Sequence, residues 1–523
     1  MDTKMKFKNN YKSVINSDAN RIHIIFKSVL VGLLAGSVTT LYRLILGKAE
    51  EISFQLYAYF KVHLSLLPVL FLLLALLGYI TGLLVNKFKM ISGSGIPQVK
   101  GIIMGYFKNN WIGTLTGKFL GGTLSIVAGL SLGREGPSIQ IGAGIAEGLG
   151  NKIASTRQEK KILIASGASA GLAAAFNAPL AGAMFAMEEI FKYFSPVILL
   201  STMISAVGAD YVSKLVFGMN PVFQFTLSDS IPLDGYWLLI LLGAILGVAG
   251  AFYNRILLLS QSLYKKCGWL NTKTRIIFPF LLAGILGLVF PIVLGGGHEI
   301  IGEINLSQPI SFLLLVLIIK FIFSMISFGS GAPGGIFFPL LIMGASIGAI
   351  CGNIAVNLLG YNENLFYNFV ILSMVGFFTS IVRAPITGVI LLIEMTGSFS
   401  HLLPLTIVSI LSYVVADLLK SPPVYDSLLD NQLKEKGIHT DPLGSDKKIT
   451  IETIVHHGSL AENKLVKELD LPHNCLLIAL KRNQHEFIPK GNTKILAGDY
   501  LVLLTDTNSE ADLRIRLTEV VTT

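Results

Sequence analysis

Charge is scarce in this chain: 14% of its 523 residues are Asp, Glu, Lys or Arg, against a hydrophobic share of 52%. With a mean hydropathy of +0.66, that composition excludes an ordinary water-soluble globule and points to a polytopic membrane protein. Cysteine is nearly missing as well. Cys267, Cys351 and Cys475 stand apart with no CxxC spacing, which excludes a disulfide framework and a cysteine-based zinc site. No partnered nucleophile, metal-ligand cluster or cofactor loop emerges, so the chain reads as a non-enzyme that needs no cofactor. A cleavable leader is missing too: Lys4, Lys6, Lys8, Lys12 and Arg21 precede any apolar run, and residues 1–22 read as an uncleaved cytoplasmic segment. The net charge of +9 is not a nucleic-acid signal. Lys87, Lys89, Lys160 and Lys161 fall in short loops, where positive-inside topology places them.

Long apolar runs are what the chain has in quantity. Residues 64–85, 235–253, 276–297, 321–362 and 395–416 are charge-poor stretches long enough to cross roughly 30 Å of hydrocarbon. Several are interrupted by Gly and Pro, as at residues 329–335 and at Ala178-Pro179, and 321–362 is too long for one helix. Helices broken at membrane depth line a substrate pathway. Composition changes after Lys420, where charged residues rise from about a tenth to about a quarter of positions, and five of the nine histidines lie in this tail. The expected organisation is a membrane domain over 23–430, a linker over 431–440 and a soluble domain over 441–523.

The membrane part repeats itself. GLAAAFNAPLAGAMFAMEE (171–189) and FFTSIVRAPITGVILLIEM (377–395) align Ala178-Pro179 with Ala384-Pro385, Gly182 with Gly388 and Glu188 with Glu394, whereas Glu189 falls opposite Met395. Two homologous halves follow, and in transporters such halves run in inverted topology with the substrate site where they meet. Glu188, being repeated, reads as structural; Glu189, being unrepeated, reads as a proton-handling acid.

Three glycine-rich segments each lead into an expected helix: Gly93-Ser94-Gly95-Ile96-Pro97, Gly133-Arg134-Glu135-Gly136-Pro137, and Gly334-Gly335-Ile336-Phe337-Phe338-Pro339. Together they offer backbone N–H groups and positive helix-dipole ends, which suit a small anion without a buried Lys or Arg that would bind it too tightly for turnover.

These segments, in this order and helix-start context, resemble the CLC family of chloride channels and proton-coupled chloride antiporters over roughly residues 20–430, and the Ala-Pro repeat and Tyr425 in Pro422-Pro423-Val424-Tyr425 fit it too. The resemblance implies an all-α polytopic membrane fold of two inverted-repeat halves with discontinuous helices, a homodimer with one pathway per subunit, and residence in a cell membrane with both termini cytoplasmic. It implies chloride contacts from the Ser94 hydroxyl, the Tyr425 phenol and the Ile336 and Phe337 amides, with Gly95 and Gly136 beside them. Glu135 matches the family's external gating glutamate, and Glu189 its internal proton glutamate. The presence of Glu189 favours an antiporter over a passive channel, the alternative reading. Ser94, where nitrate-selective members carry Pro and fluoride exporters Met, points to chloride. Two positions depart from the family pattern: Phe338 stands where many members have Ala, and Gln98 where Glu is frequent.

In the tail, apolar alternation at Ile449, Ile451 and Ile454 predicts a strand, 460–469 a short helix, 475–480 and 500–504 strands, and 509–520 a closing helix, forming a small soluble α+β domain. The run Ile488-Pro489-Lys490-Gly491-Asn492-Thr493 followed by Ala497-Gly498-Asp499 resembles the TrkA-C type of regulatory lobe over about 440–522. That resemblance implies dimerisation and a small regulatory ligand such as a cyclic dinucleotide or a metal ion, and the combined architecture suggests a prokaryotic protein. A protein whose membrane body only senses, with ligand binding at the tail as its output, is a further reading. His456 and His457, taken as adjacent strand residues, point to opposite faces and form no metal site.

Overall fold

The computed structural model of the chain describes residues 3–223, 225, 231–266, 271–438, 448–469, 471, 475–482, 485–506 and 510–522. It separates into two units, Met1–Leu429 and Asp430–Thr523.

The first half of the membrane unit comprises α1 (Thr3–Val62), α2 (Leu67–Lys87), α3 (Ile96–Met104), α4 (Trp111–Val127), α5 (Glu135–Ile153), α6 (Arg157–Phe176), α7 (Pro179–Phe185) and α8 (Pro196–Phe217). A π-type turn, Ala186–Phe191, continues α7. The second half comprises α9 (Tyr236–Lys266), α10 (Ile277–Val289), α11 (His298–Glu303), α12 (Ile310–Gly329), α13 (Phe337–Asn357), α14 (Phe366–Val382), α15 (Pro385–Thr396) and α16 (Leu402–Leu418). Among the described residues, seven helices are long and apolar enough to cross a membrane. α17 (Val424–Glu435) follows.

Proline starts α7, α8 and α15, where its missing N–H costs nothing and its fixed φ suits the first turn. The residues before the two Ala-Pro steps, Asn177 and Arg383, both end their helices in the left-handed conformation, with φ of 55° and 69°. Small residues let neighbouring helices approach to backbone contact. A Cβ on Gly142 of α5 would stand 2.1 Å from the Gly167 carbonyl of α6, and one on Gly348 of α13 would stand 2.4 Å from the Phe369 carbonyl of α14.

The halves are locked by a reciprocal pair of caps. Glu188, in the turn ending α7, accepts hydrogen bonds from the amides of Ile386 (3.1 Å) and Thr387 (2.7 Å) at the start of α15. Glu394, near the end of α15, accepts from the amides of Leu180 (3.0 Å) and Ala181 (2.8 Å) at the start of α7. Each end therefore meets the other helix's start, so α7 and α15 lie antiparallel, as inverted repeats require. The same symmetry governs two buried lysines. Lys118 of α4 donates to the carbonyls of Ile91 and Gly93, and Lys320 of α12 donates to those of Val293 and Gly295.

Some expected boundaries move. Apolar stretch 276–297 is helical only over α10 before breaking, because Pro291 and three glycines follow. Stretch 321–362 is divided between α12 and α13, as its glycines predict. Stretch 395–416 is not one helix: α15 stops at Gly397, whose φ is 70°, and α16 begins at Leu402. The boundary expected after residue 22 lies within the unbroken helix α1, and the linker expected over 431–440 begins inside α17; residues 439–447 lie outside the described set.

The second unit is an antiparallel sheet in the order β1-β4-β2-β3, made of β1 (Lys448–Ile454), β2 (Cys475–Arg482), β3 (His485–Phe487) and β4 (Tyr500–Asp506), with α18 (Glu510–Thr522) after it. Ile451, Leu480, Leu501, Leu503, Leu513 and Leu517 fill its core. The helix expected over 460–469 is absent. Asn463 is left-handed, and the amides of Asn463, Val466 and Lys467 bond to Ile495, Thr493 and Gly491, leaving only a short 3-10 turn at Val466–Glu468. Strand β3 was not foreseen. His456 and His457 lie beyond the end of β1, not on it. The Gly458 amide, helped by the His457 ring, holds the Glu462 carboxyl below its ordinary range. Among the described residues no cluster could hold a metal. Arg482 grips the buried Asp499 with two nitrogens, at 2.7 and 2.6 Å, and this pairing pushes the guanidinium further up.

Replacing Glu394 or Glu188 with Gln weakens two charge-assisted amide bonds and should cost about 1 kcal/mol in each case. The check is the thermal midpoint of the detergent-solubilised protein. A loss from each variant is expected, the larger from Glu188→Gln because Glu188 also accepts from the Thr387 hydroxyl at 2.8 Å, and an unchanged midpoint in either would show that its cap carries no load.

Candidate ion-translocation site

The starts of α3, α5 and α13 are brought together by hydrogen bonds between their glycine loops. Gly133 and Gly335 exchange both backbone bonds, at 2.7 and 2.8 Å. The Gly334 amide donates to the Gly93 carbonyl at 3.1 Å, and the Gly93 amide to the Gly331 carbonyl at 3.4 Å. Lys118 holds the Ile91 and Gly93 carbonyls from behind, so its ammonium is occupied by the scaffold. Gly136 has to lack a side chain, because a Cβ there would stand 2.4 Å from Ser94 Oγ.

None of the three helices has a side chain capping its first turn, and α3 and α13 carry no acid there. Their leading amides lack intrahelical acceptors and point their dipoles at the convergence. Two hydroxyls join them. Ser94 and Tyr425 are buried, and neither Ser94 Oγ nor Tyr425 Oη makes a hydrogen bond of normal geometry. Tyr425 stands next to the Ser94 hydroxyl and within electrostatic reach of Glu189 and Glu135. Buried donors in a native structure are normally satisfied, so unsatisfied ones clustered at helix starts mark a place for an acceptor, and a dehydrated anion is the simplest acceptor that fits. The structure thus gathers Ser94, Gly95, Glu135, Gly136, Ile336, Phe337 and Tyr425 around the joined loops.

Glu135 opens α5 and is wholly buried. Its carboxylate lies over Gly133, where a Cβ would come within 2.3 Å of Oε2. Arg134 Nε is 3.9 Å from Oε1, too far for a hydrogen bond, and no side chain donates to either oxygen with normal geometry. A small crevice lined by Glu50, Leu132, Arg134, Glu135, Gly296 and Phe338 leads to it. Phe338 rests behind the carboxylate among aromatic rings, with centroids 6.3 Å from Phe176 and 6.1 Å from Phe223. Gln98 ties its own loop down by donating to the Ser92 carbonyl at 2.8 Å.

Glu189 stands elsewhere, in the π-type turn after α7, and is 1% exposed. Lys100 Nζ of α3 lies 3.1 Å from its Oε1. Lys100 also contacts Asp426 of α17, and Asp426 contacts Lys192. Sequence reasoning missed Lys100 and Asp426. The available signals were a lysine four residues into an apolar helix and an acid next to Tyr425.

Comparison with known proteins places the chain. Residues 77–417 match the family model described as voltage gated chloride channel, and residues 451–517 match that of the TrkA-C domain. The chain is 35% identical over 446 residues to an H(+)/Cl(-) exchange transporter ClcA of Vibrio cholerae, covering 83% of this chain and 95% of that protein. Among solved structures it is similar to a slow cyanobacterial Cl-/H+ antiporter, with 30% identity, a TM-score of 0.76 and coverage of 79% and 99% of the two chains. A CLC-type fluoride/proton antiporter shares the fold at 24% identity and a TM-score of 0.64, over 77% and 96%. Glycine loops, repeat and fold agree with the sequence match: the chain belongs to the voltage gated chloride channel family, the CLC proteins.

Proposed function

We propose that this protein exchanges chloride for protons across a prokaryotic cell membrane, working as a homodimer with one pathway in each subunit. The observation that carries the reading is the presence of two buried carboxyls, Glu135 beside the joined glycine loops and Glu189 in the turn after α7, together with the buried hydroxyls of Ser94 and Tyr425. The chloride/proton exchange named for relatives that align over most of this chain supports it.

The chemistry follows from charge. Ionised, the Glu135 carboxylate is itself an anion over the joined glycine loops and competes with chloride for the helix-start amides. Protonated, it loses that attraction and leaves the position to chloride. One group that both excludes chloride and carries a proton ties the two fluxes together. Glu189 passes protons to and from the opposite solution by a route separate from chloride's. Ser94 and Tyr425 contribute O–H donors and the Ile336 and Phe337 amides N–H donors, which replace hydration water without a full positive charge. A passive channel would use the same anion contacts and differs only in ignoring the pH gradient.

The tail has the TrkA-C form, and we assign it a regulatory role in which a small ligand, a cyclic dinucleotide being the leading candidate, adjusts transport.

The deciding experiment places purified protein in liposomes with an outward chloride gradient and no pH gradient, and records internal pH beside chloride efflux. Uphill proton uptake that disappears in Glu189→Val while chloride efflux persists is expected; efflux with no proton movement in the wild type would make the protein a channel. Glu135→Gln, neutral at every pH, should keep chloride flux and lose proton pumping entirely, and continued pumping would remove Glu135 from the gate. Deleting residues 436–523 should preserve coupled exchange in a folded dimer while abolishing its response to cyclic dinucleotides. Loss of exchange from such a dimer would make the tail part of the transport machinery.

A further inference from the structure

Glu189 and three charged groups around it form a graded chain. Glu189 and Lys100 are each 1% exposed at the side chain, Asp426 is 22% exposed and Lys192 39%. The charges alternate from the buried end to the exposed one: Glu189, Lys100, Asp426, Lys192. Each inner member touches two opposite charges, since Lys100 contacts both carboxylates and Asp426 contacts both ammonium groups. The elements involved are the π-type turn, α3, α17 and the residue following the turn. Tyr425, also on α17, is a further ionisable group within electrostatic reach of Glu189.

A buried ammonium needs a partner in every state it visits. Were Glu189 the sole partner of Lys100, each proton arriving at Glu189 would strand a desolvated cation, and the acid would resist protonation. Two carboxylates remove that obstacle. With Glu189 ionised the four charges sum to zero; with Glu189 neutral the surplus positive charge resides at Lys192, which water reaches.

We propose that Lys100 and Asp426 are positioning residues for proton transfer at Glu189: Lys100 holds Glu189 ionised between deliveries, and Asp426 retains Lys100 once Glu189 has taken a proton. The step is a proton passing from hydronium in the solution that Lys192 faces to a Glu189 oxygen. One O–H bond breaks, one forms, and nothing is oxidised or reduced. The assignment rests on Glu189 being the proton acceptor of the exchange proposed above. It adds two residues that act through Glu189 without touching chloride.

The test compares pH profiles of proton pumping in liposomes of the full-length protein. Removing an adjacent cation makes a buried carboxyl hold its proton more firmly, and removing an adjacent anion does the reverse. Lys100→Met should therefore move the half-maximal pH of pumping upward by about one unit or more, and Asp426→Asn should move it downward. Lys100→Arg should restore the wild-type profile, which mere damage to packing would not allow. Infrared titration of the purified proteins gives an independent reading, with the Glu189 carboxyl band identified by its loss in Glu189→Gln. Displacements of opposite sign in the two variants support the proposal. Profiles that coincide with wild type, or that move the same way, overturn it. Proton pumping missing from the wild type, with the opposed infrared displacements intact, would overturn the antiport reading while leaving the charge chain standing.

Discussion

The bond pair between Gly133 and Gly335 is the constraint on which the site depends. Inside hydrocarbon, irregular backbone survives only when its amides and carbonyls find partners in the protein. Two loops from different halves solve this for each other by exchanging both bonds, at 2.7 and 2.8 Å. That exchange fixes where α5 and α13 begin and therefore where their dipoles aim. The third loop joins through Gly93, Gly331 and Gly334, and Lys118 closes it from behind. What the convergence offers an anion is the positive ends of three helices and, among the buried side chains there, the hydroxyls of Ser94 and Tyr425. Affinity for a charged substrate thus arises from polar groups that the fold cannot satisfy by itself.

Lysines in this membrane unit illustrate how charge is kept off the ion path. Lys118 and Lys320 spend their donors on two carbonyls each, and Lys100 is shared between carboxylates. An unpaired ammonium near the glycine loops would be a trap for chloride. Pairing converts each into scaffold or into a counter-charge for the proton site.

Much of this was legible in the residues. Glycine loops and the Ala-Pro repeat announce helix starts, and the recurrence of Glu188 as Glu394 marks that pair as structural, because a repeated residue serves a repeated geometry. Contacts between distant segments were not legible. Nothing in the local pattern says that Lys100 meets Asp426 across 326 positions of chain, or that the Glu188 carboxylate reaches Ile386. In the tail, apolar periodicity over 460–469 suggested a helix. Backbone pairing with residues 491–495 overrode that local preference, and the short strand β3 offered too few residues for alternation to show.

The reciprocal caps also have a meaning in time. While the ribosome is still making the second half, the amides of Leu180 and Ala181 have no Glu394 to bond, since it is made 214 residues after Leu180. The first half must therefore wait in the bilayer with an open helix end, a debt of unsatisfied polar groups that only its twin can clear. Biogenesis then has a natural endpoint: the halves close on each other together, and a chain that stops before α15 lacks the partner for the start of α7.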